Sequence, residues 1–416
     1  SQRSVVRFHS PLPKMKKKVL IIFKAPWHWN DFAIKKFEKF YDVKHVFLNK
    51  IKKNFLKTIN EINELIEKDK IEIVIFDVDY QKFINHYFIK KIKNSVKIMM
   101  TFDDYERHNF NLITANSCDY VITACPISAY KYKEVGKDAS FIPLESDGKF
   151  YKDLKIQKDI DVLFFGKVNK DRKNFLDYLS NNGINLKVVG NNSENRVLDT
   201  ELVNLICRSK IVVNFLKTTW GKIMNIPEKN VFSYQYQFKG RIVQAGLCGT
   251  ACISEYAPHH NLMYKNDELI QFSTKEECLK IITDLLKNPD KLENYKTKFS
   301  QKTIDTYEDE KSLLKLNDFV LNKSFITENQ KKHILNKLPY WYLRICAKQI
   351  ILRDINIYKI FSSIFHLKEV FSLIKGSSNF AKLLVMIESS LNILWFSLVR
   401  ILRKKGAGKN RYADEY

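Results

Sequence analysis

From Lys16 onward the chain alternates two patterns of apolar and polar positions. "KKKVLIIFKAPWHWND" opens as a β-branched strand and runs into a loop, "FAIKKFEKF" has helical spacing, and "VKHVFL" alternates as a second strand. "FLKTINEINELIEKDK" repeats its apolar residues at the helical period, and "IEIVIFDVD" is a continuous apolar strand. "VKIMMTFDD", "YVITA" and "SFIPL" repeat the theme. Strands that are apolar along their whole length are covered on both faces. Separated by helices, they imply a parallel sheet in an α/β domain, predicted over residues 15–150.

A second set follows. "DIDVLFFG" and "INLKVVGNN" read as strands around the helix "DRKNFLDYLSNN", and "TELVNLICRS" is a helix before the short buried strand "KIVVNF". "GRIVQAGLCGTACIS" reads as helix, tight turn and buried strand. "ELIQFS", "KEECLKIITDLLKNP" and "DKLENYKTKFSQKTIDTY" complete the set as a strand and two helices. Two successive units of this kind predict two doubly wound Rossmann-like domains facing a cleft, the second over residues 151–323.

Residues 324–416 break the pattern. Between 331 and 405 there are 14 Lys plus Arg against 3 Asp plus Glu, which is +11 of the chain's +24. From Leu383 to Leu402 a helix would be about 30 Å long, nominally enough to span a bilayer. Glu388, Asn392, Ser397 and Arg400 nevertheless fall on one side with Lys382 and Lys404, so a helix lying in the membrane interface is expected. Val385, Ile393 and Phe396 intrude on that side and keep a span open, and packing against the globular body is the third reading.

Charge and composition narrow the function. A +24 chain points to phosphates in nucleic acid, anionic lipid or a substrate, although abundant Lys, Asn and Ile also fit compositional drift. The charge concentrates in an apolar, Trp-bearing tail without a recognition-module signature, so no nucleic-acid partner is expected. The seven cysteines are scattered without a C-x-x-C pair, which suits reduced thiols in the cytoplasm. Adjacent His259 and His260 should diverge, and no metal site is expected. "SQRSVVRFHSPLPK" lacks the apolar core of an export signal; Met15 is read as the natural start and residues 1–14 as a leader or extraneous segment.

The chemistry gathers around residue 240. A helix usually opens with Asp, Ser or Glu, but here Gly240 and Arg241 open it, an arrangement suited to receiving an anion. The guanidinium matches bidentate phosphate contact. The first strand of the same domain ends in "FGKVNKDRKNF", placing Gly166, Lys167, Lys170, Arg172 and Lys173 on the strand-end side, where both groups would clamp a diphosphate. In the first domain, "VKIMMTFDDYERH" ends a buried strand with acids that either cap the next helix or serve as a base for an acceptor hydroxyl. Asp103 is the first choice for the base, with His108 and Asp104 behind it. Trp27, His28 and Trp29 lie in a loop that would stack on a sugar or lipid, or cover the sheet end.

"GRIVQAGLCGTACIS" followed by "ELIQFSTKEECLKIITDLLKNPDKLENY" resembles the C-terminal half of GT-B glycosyltransferases of the group 1 type, above all the CgeB-like group. Arg241, Ala245, Gly249 and Asn288-Pro289 match that pattern, and the likeness covers about residues 97–320. It implies a bacterial enzyme of polysaccharide biosynthesis, taking a nucleotide-diphosphate sugar as donor substrate with no further cofactor. The acceptor would be a lipid-linked or cell-surface glycan at the inner face of the cell membrane. The basic groups replace a metal: Lys167, Lys173, Arg241 and the helix N-terminus can neutralise the diphosphate. The resemblance also implies that position 244 contacts the ribose, but the family's Glu is Gln244 here, and the first Glu of the retaining enzymes' pair falls at Tyr236. Stereochemistry, donor base and oligomeric state stay open. A non-catalytic sugar-nucleotide-binding or scaffold relative, and less so a nucleic-acid-binding protein, are the alternatives.

Overall fold

The structure, a computed structural model, describes residues 16–23, 26, 28–48, 55–78, 84–102, 104–142, 144, 147–190, 197–216, 238–324, 338–340, 342–344, 346–347, 370 and 379–404, with side chains on the last helix up to Leu391. The first domain is a parallel sheet of β1 (Lys18–Phe23), β2 (Asp42–Phe47), β3 (Ile73–Asp77), β4 (Val96–Thr101), β5 (Tyr120–Thr123) and β6 (Asp138–Phe141), ordered β2-β1-β3-β4-β5-β6. Its helices are α1 (His28–Glu38), α2 (Phe55–Asp69), α3 (His86–Lys91), α4 (Asp104–Ala115) and α5 (Pro126–Glu134). Strand residues alternate between two cores: Leu20, Ile22, Val74 and Phe76 on one face, Val19, Ile21, Ile73 and Ile75 on the other. Ile59, Ile62 and Ile66 of α2 cover the first face, and Ala33, Ile34 and Phe37 of α1 cover the second. This double cover is why the strands read as unbroken apolar runs.

The second domain repeats the plan. Parallel strands β7 (Ile160–Phe165), β8 (Leu186–Val189), β9 (Ser209–Asn214), β10 (Ala251–Glu255) and β11 (Ile270–Phe272) run in the order β11-β10-β9-β7-β8. They alternate with α6 (Lys170–Asn181), α7 (Asp199–Arg208), α8 (Gly240–Leu247), α9 (Lys275–Lys287) and α10 (Pro289–Tyr307). In both sheets the strand order reverses beside the domain's first strand, between β1 and β3 and between β7 and β9. Ligands of such sheets sit outside the carboxyl ends of the strands at that switch.

After the second domain the chain returns to the first. Leu316 and Val320 of α11 (Asp309–Leu321) enter the α1-side core, and the Tyr41 hydroxyl donates to Asn317 Oδ1 at 3.1 Å. Tyr342, Leu343, Cys346 and Ala347 enter the opposite core with Val385 of α12 (Asn379–Lys404). The Tyr342 hydroxyl accepts from the His86 amide at 2.9 Å and lies 3.0 Å from Thr114 Oγ1, while its ring stands 4.7 Å from that of Phe110. These stretches of the basic extension are therefore also core-forming elements of the first domain. Among the described residues no helix is long and apolar enough to cross a membrane.

Short elements escaped the periodicity. In α3 the buried residues Tyr87, Phe88 and Ile89 are consecutive, so no helical spacing is visible. The loop expected over residues 25–29 ends early, since α1 already begins at His28. All seven cysteines are buried and free of disulfides.

Candidate functional site

The N-terminus of α8 is built around Arg241. Lys239 occupies the N-cap without a side-chain cap bond, and no acidic residue enters the first turn. The Arg241 guanidinium donates from Nε to Asn214 Oδ1 at 2.9 Å, from Nη1 to the Phe165 carbonyl at 3.2 Å and from Nη2 to the Phe215 carbonyl at 2.7 Å. It thereby joins the carboxyl ends of β7 and β9, the switch point of the sheet. Gly166 follows β7 at a φ of +126°, and a Cβ there would stand 2.3 Å from Arg241 Nη1. Glycine is needed twice over at this position, for the backbone and for the guanidinium.

The electrostatics of this centre are one-sided. Its three acceptors are neutral, and among the described residues two of the five guanidinium N–H groups find no acceptor and no carboxylate pairs with Arg241. Burial, with Arg172 as second cause, pushes the guanidinium's pKa down to about 9, which leaves it charged at neutral pH. A cation in such surroundings favours an added anion.

The other expected donor-binding residues divide. Gly240 and Gly166 share the switch point with Arg241, and Lys167 is exposed next to Gly166. Lys173 is instead paired with Asp177 at 2.6 Å, one helical turn along the surface of α6. Arg172 turns back to donate to the Lys167 carbonyl at 2.8 Å. Gln244 is half-buried with its amide against the hydroxyl of buried Tyr151, in the segment joining the domains.

In the first domain, Asp103 lies outside the described residues, as does Trp27. Asp104, the first residue of α4, is fully buried. Its Oδ2 is 2.8 Å from His108 Nδ1, and its Oδ1 accepts from Asn111 Nδ2 at 2.8 Å and from the Tyr132 hydroxyl at 2.7 Å. Burial alone would raise this carboxyl's pKa; the hydrogen bonds and the His108 charge more than offset it and hold the group below the ordinary carboxylate range. A carboxylate so saturated is a poor base, which corrects the expectation for Asp104. It orients instead. In the neutral tautomer that donates Nδ1–H to Asp104, Nε2 of His108 keeps its lone pair, on a side chain 11% exposed.

The adjacent histidines do not diverge. A 3-10 turn over Pro258–Leu262 brings the His259 and His260 ring centroids to 4.8 Å, both rings buried. Both ring nitrogens of His259, and Nε2 of His260, find no hydrogen-bond partner among the described residues. Burial lowers their pKa values to about 4 and about 3.

Residues 171–312 match the family described as glycosyl transferase-like, a stretch holding β9, α8 and Arg241. This part of the chain is thus similar to glycosyl transferase-like proteins. The two-domain architecture is the GT-B fold expected from the sequence. The Anabaena protein HepE in complex with UDP-glucose has the same fold at a TM-score of 0.53 and 10% identity, over 74% of this chain and 100% of that one. Sucrose-phosphate synthase from Thermosynechococcus elongatus gives 0.51 and 10%, over 73% and 98%. No curated protein sequence matches the chain.

Sequence reasoning missed Asn214, which holds the Arg241 Nε of the second domain and donates to Ser254 Oγ at 2.9 Å. The signal was present as a lone amide closing the apolar strand "KIVVNF". Asn111 and Tyr132 gave none, since each sits in an ordinary helical pattern.

Proposed function

We propose that the chain transfers a sugar from a nucleotide-diphosphate sugar to a hydroxyl of a lipid-linked or cell-surface glycan, at the inner face of the cell membrane and without a metal. The observation that carries this reading is the Arg241 guanidinium at the switch point of the second domain, charged and, among the described residues, held by neutral acceptors. The donor's diphosphate takes its two remaining N–H groups and the open first turn of α8, with exposed Lys167 alongside. UDP-glucose in the Anabaena structure of the same fold supports a nucleotide sugar as donor. The +11 of residues 331–405 supports action beside an anionic membrane.

In an inverting transfer the acceptor hydroxyl attacks the anomeric carbon as the bond to the diphosphate breaks. The hydroxyl proton goes to His108 Nε2, Asp104 stabilises the imidazolium, and the bonding electron pair leaves on the diphosphate beside Arg241. Thermal-shift titration with nucleoside diphosphates and nucleotide sugars tests the donor. A ligand at a hundred times its dissociation constant stabilises the fold by about 2.7 kcal/mol. If none of them raises the melting temperature, the donor reading is wrong.

A further inference from the structure

The buried face of α12 and its exposed face carry opposite messages. Ala381, Val385 and Ser389 are buried at helical spacing, and Val385 belongs to the core of the first domain. Glu388, the acid of this helix, also turns inward, accepting from the Tyr340 hydroxyl at 2.9 Å and from Arg344. What remains outside is apolar: Phe380, Leu383, Ile387 and Leu391 are 72%, 59%, 49% and 60% exposed. At 100° per residue these four fall within about a quarter of the helix circumference. Along the rest of the helix the sequence keeps the spacing with Leu394, Leu398 and Leu402.

We infer that this stripe is a docking face for an anionic lipid surface, and that it brings the first domain, rather than the second, against the membrane. Charge selects the occupant. The helix bears Lys382, Arg400, Arg403 and Lys404 against Glu388, whose charge is already answered from within, and residues 331–405 carry +11. A second copy docked on the same face would set like charges against each other, whereas an anionic leaflet attracts them and takes up the apolar side chains. The placement also has a consequence for the acceptor. Tyr342 ties the returning chain to α4 through Phe110 and Thr114, and α4 begins with Asp104 and His108. Docking through α12 therefore holds the helix of the proposed base on the membrane-side domain, where a lipid-linked hydroxyl would be presented.

The choice of a lipid occupant rests on the membrane reading above, so the test reads binding alone, without donor or turnover. Full-length protein is floated with vesicles of phosphatidylcholine, or of phosphatidylcholine mixed with phosphatidylglycerol, at low and high salt. A Leu383→Ser/Ile387→Ser/Leu391→Ser variant is run beside it, with its melting temperature and its solution mass. We expect binding to the anionic vesicles that salt weakens. The variant should lose at least about tenfold in partitioning at an unchanged melting temperature. A full-length chain that ignores both vesicle types, or a variant that binds like the parent, overturns the inference. So does a parent that dimerises through the stripe while leaving the vesicles alone. Nucleotide binding measured on the same samples reports separately on the glycosyltransferase reading.

Discussion

The Arg241 centre of the second domain and the Asp104–His108 centre of the first both sit where a helix begins beyond a strand end, yet their electrostatic accounts differ. Around Arg241 a charged donor meets three neutral acceptors among the described residues, and the remaining N–H groups are open to a ligand. Around Asp104 a buried carboxylate meets His108, Asn111 and Tyr132, and its charge is already answered by the protein. An unsatisfied charge marks a place for binding, while a satisfied one marks a place where a neighbour is held in position. Under the proposed function, the diphosphate therefore falls to Arg241 and the positioning of a proton acceptor to Asp104.

The sharpest way to break this division is His108→Ala. Loss of a general base lowers turnover by about 10²–10⁴-fold, while donor affinity should not change because the two centres serve different substrates. Steady-state rates and nucleotide titration on the same protein give both numbers. A matching fall in donor affinity would place His108 in the donor site instead. Asp104→Asn should lower turnover as well, and it should also lower the melting temperature, because Asn111 and Tyr132 lose a charged acceptor.

Acid probes whether the shortage of partners in the second domain extends beyond Arg241. His259 and His260 are neutral in the fold, with pKa values near 4 and 3, whereas the unfolded chain takes up their protons near the ordinary histidine value. Stability from these groups is complete above that value and is lost as pH falls, since the unfolded state then binds more protons. At about 1.4 kcal/mol per pH unit, each histidine costs about 2 kcal/mol by pH ~5. Denaturant unfolding at a series of pH values should show that loss, and His259→Leu should remove about half of it. An identical pH profile in the variant would mean that His259 is hydrogen-bonded or accessible.

Arg241 tests the other half of the comparison. Arg241→Ala should weaken nucleotide-diphosphate binding by about ten- to a hundredfold, the loss of a charge-assisted contact. It should also lower the melting temperature, because the guanidinium joins β7, β9 and α8. Arg241→Lys separates the two effects: the cation stays, but a single ammonium cannot reproduce the fork. Unchanged affinity in a folded Arg241→Ala protein would remove this residue from the site.

Much of this was legible before the fold was known, and the limits have physical causes. The doubled α/β plan followed from strands such as "IEIVIFDVD" and "DIDVLFFG", whose unbroken apolar runs reflect helices on both faces. Arg241 stood out because a cation opens a helix. Its attachment to Asn214 and two carbonyl groups was not legible, since a tertiary hydrogen bond leaves no periodicity. The acids after β4 were visible, with Asp103, His108 and Asp104 as candidate bases, but the i, i+4 spacing only permits the Asp104–His108 pair, and packing is what shows that the carboxylate is saturated. The tail was the least legible part. Tyr342 and Cys346 have the same apolar-basic signature whether they meet lipid or a protein core, and they enter the core of the first domain.

The smallest expected effect concerns Gln244, and it decides whether α8 serves the donor beyond its first turn. The amide lies against the Tyr151 hydroxyl, in surroundings where burial, then Asp199, already raise that phenol's pKa. Gln244→Leu removes one hydrogen bond to a buried group and should cost about 1 kcal/mol of stability. Gln244→Glu adds a like charge to those already acting on Tyr151 and should cost a similar amount rather than restore anything. Neither should move nucleotide affinity if Gln244 serves only to pack α8 against the segment joining the domains. A ribose contact predicts the reverse: affinity falls by roughly 1–3 kcal/mol in the leucine variant and is kept or gained with glutamate, because a carboxylate accepts from both hydroxyls of a cis-diol. Calorimetric titration with a nucleoside diphosphate and with the free base alone separates the two, since a contact made only to ribose leaves the base's affinity untouched.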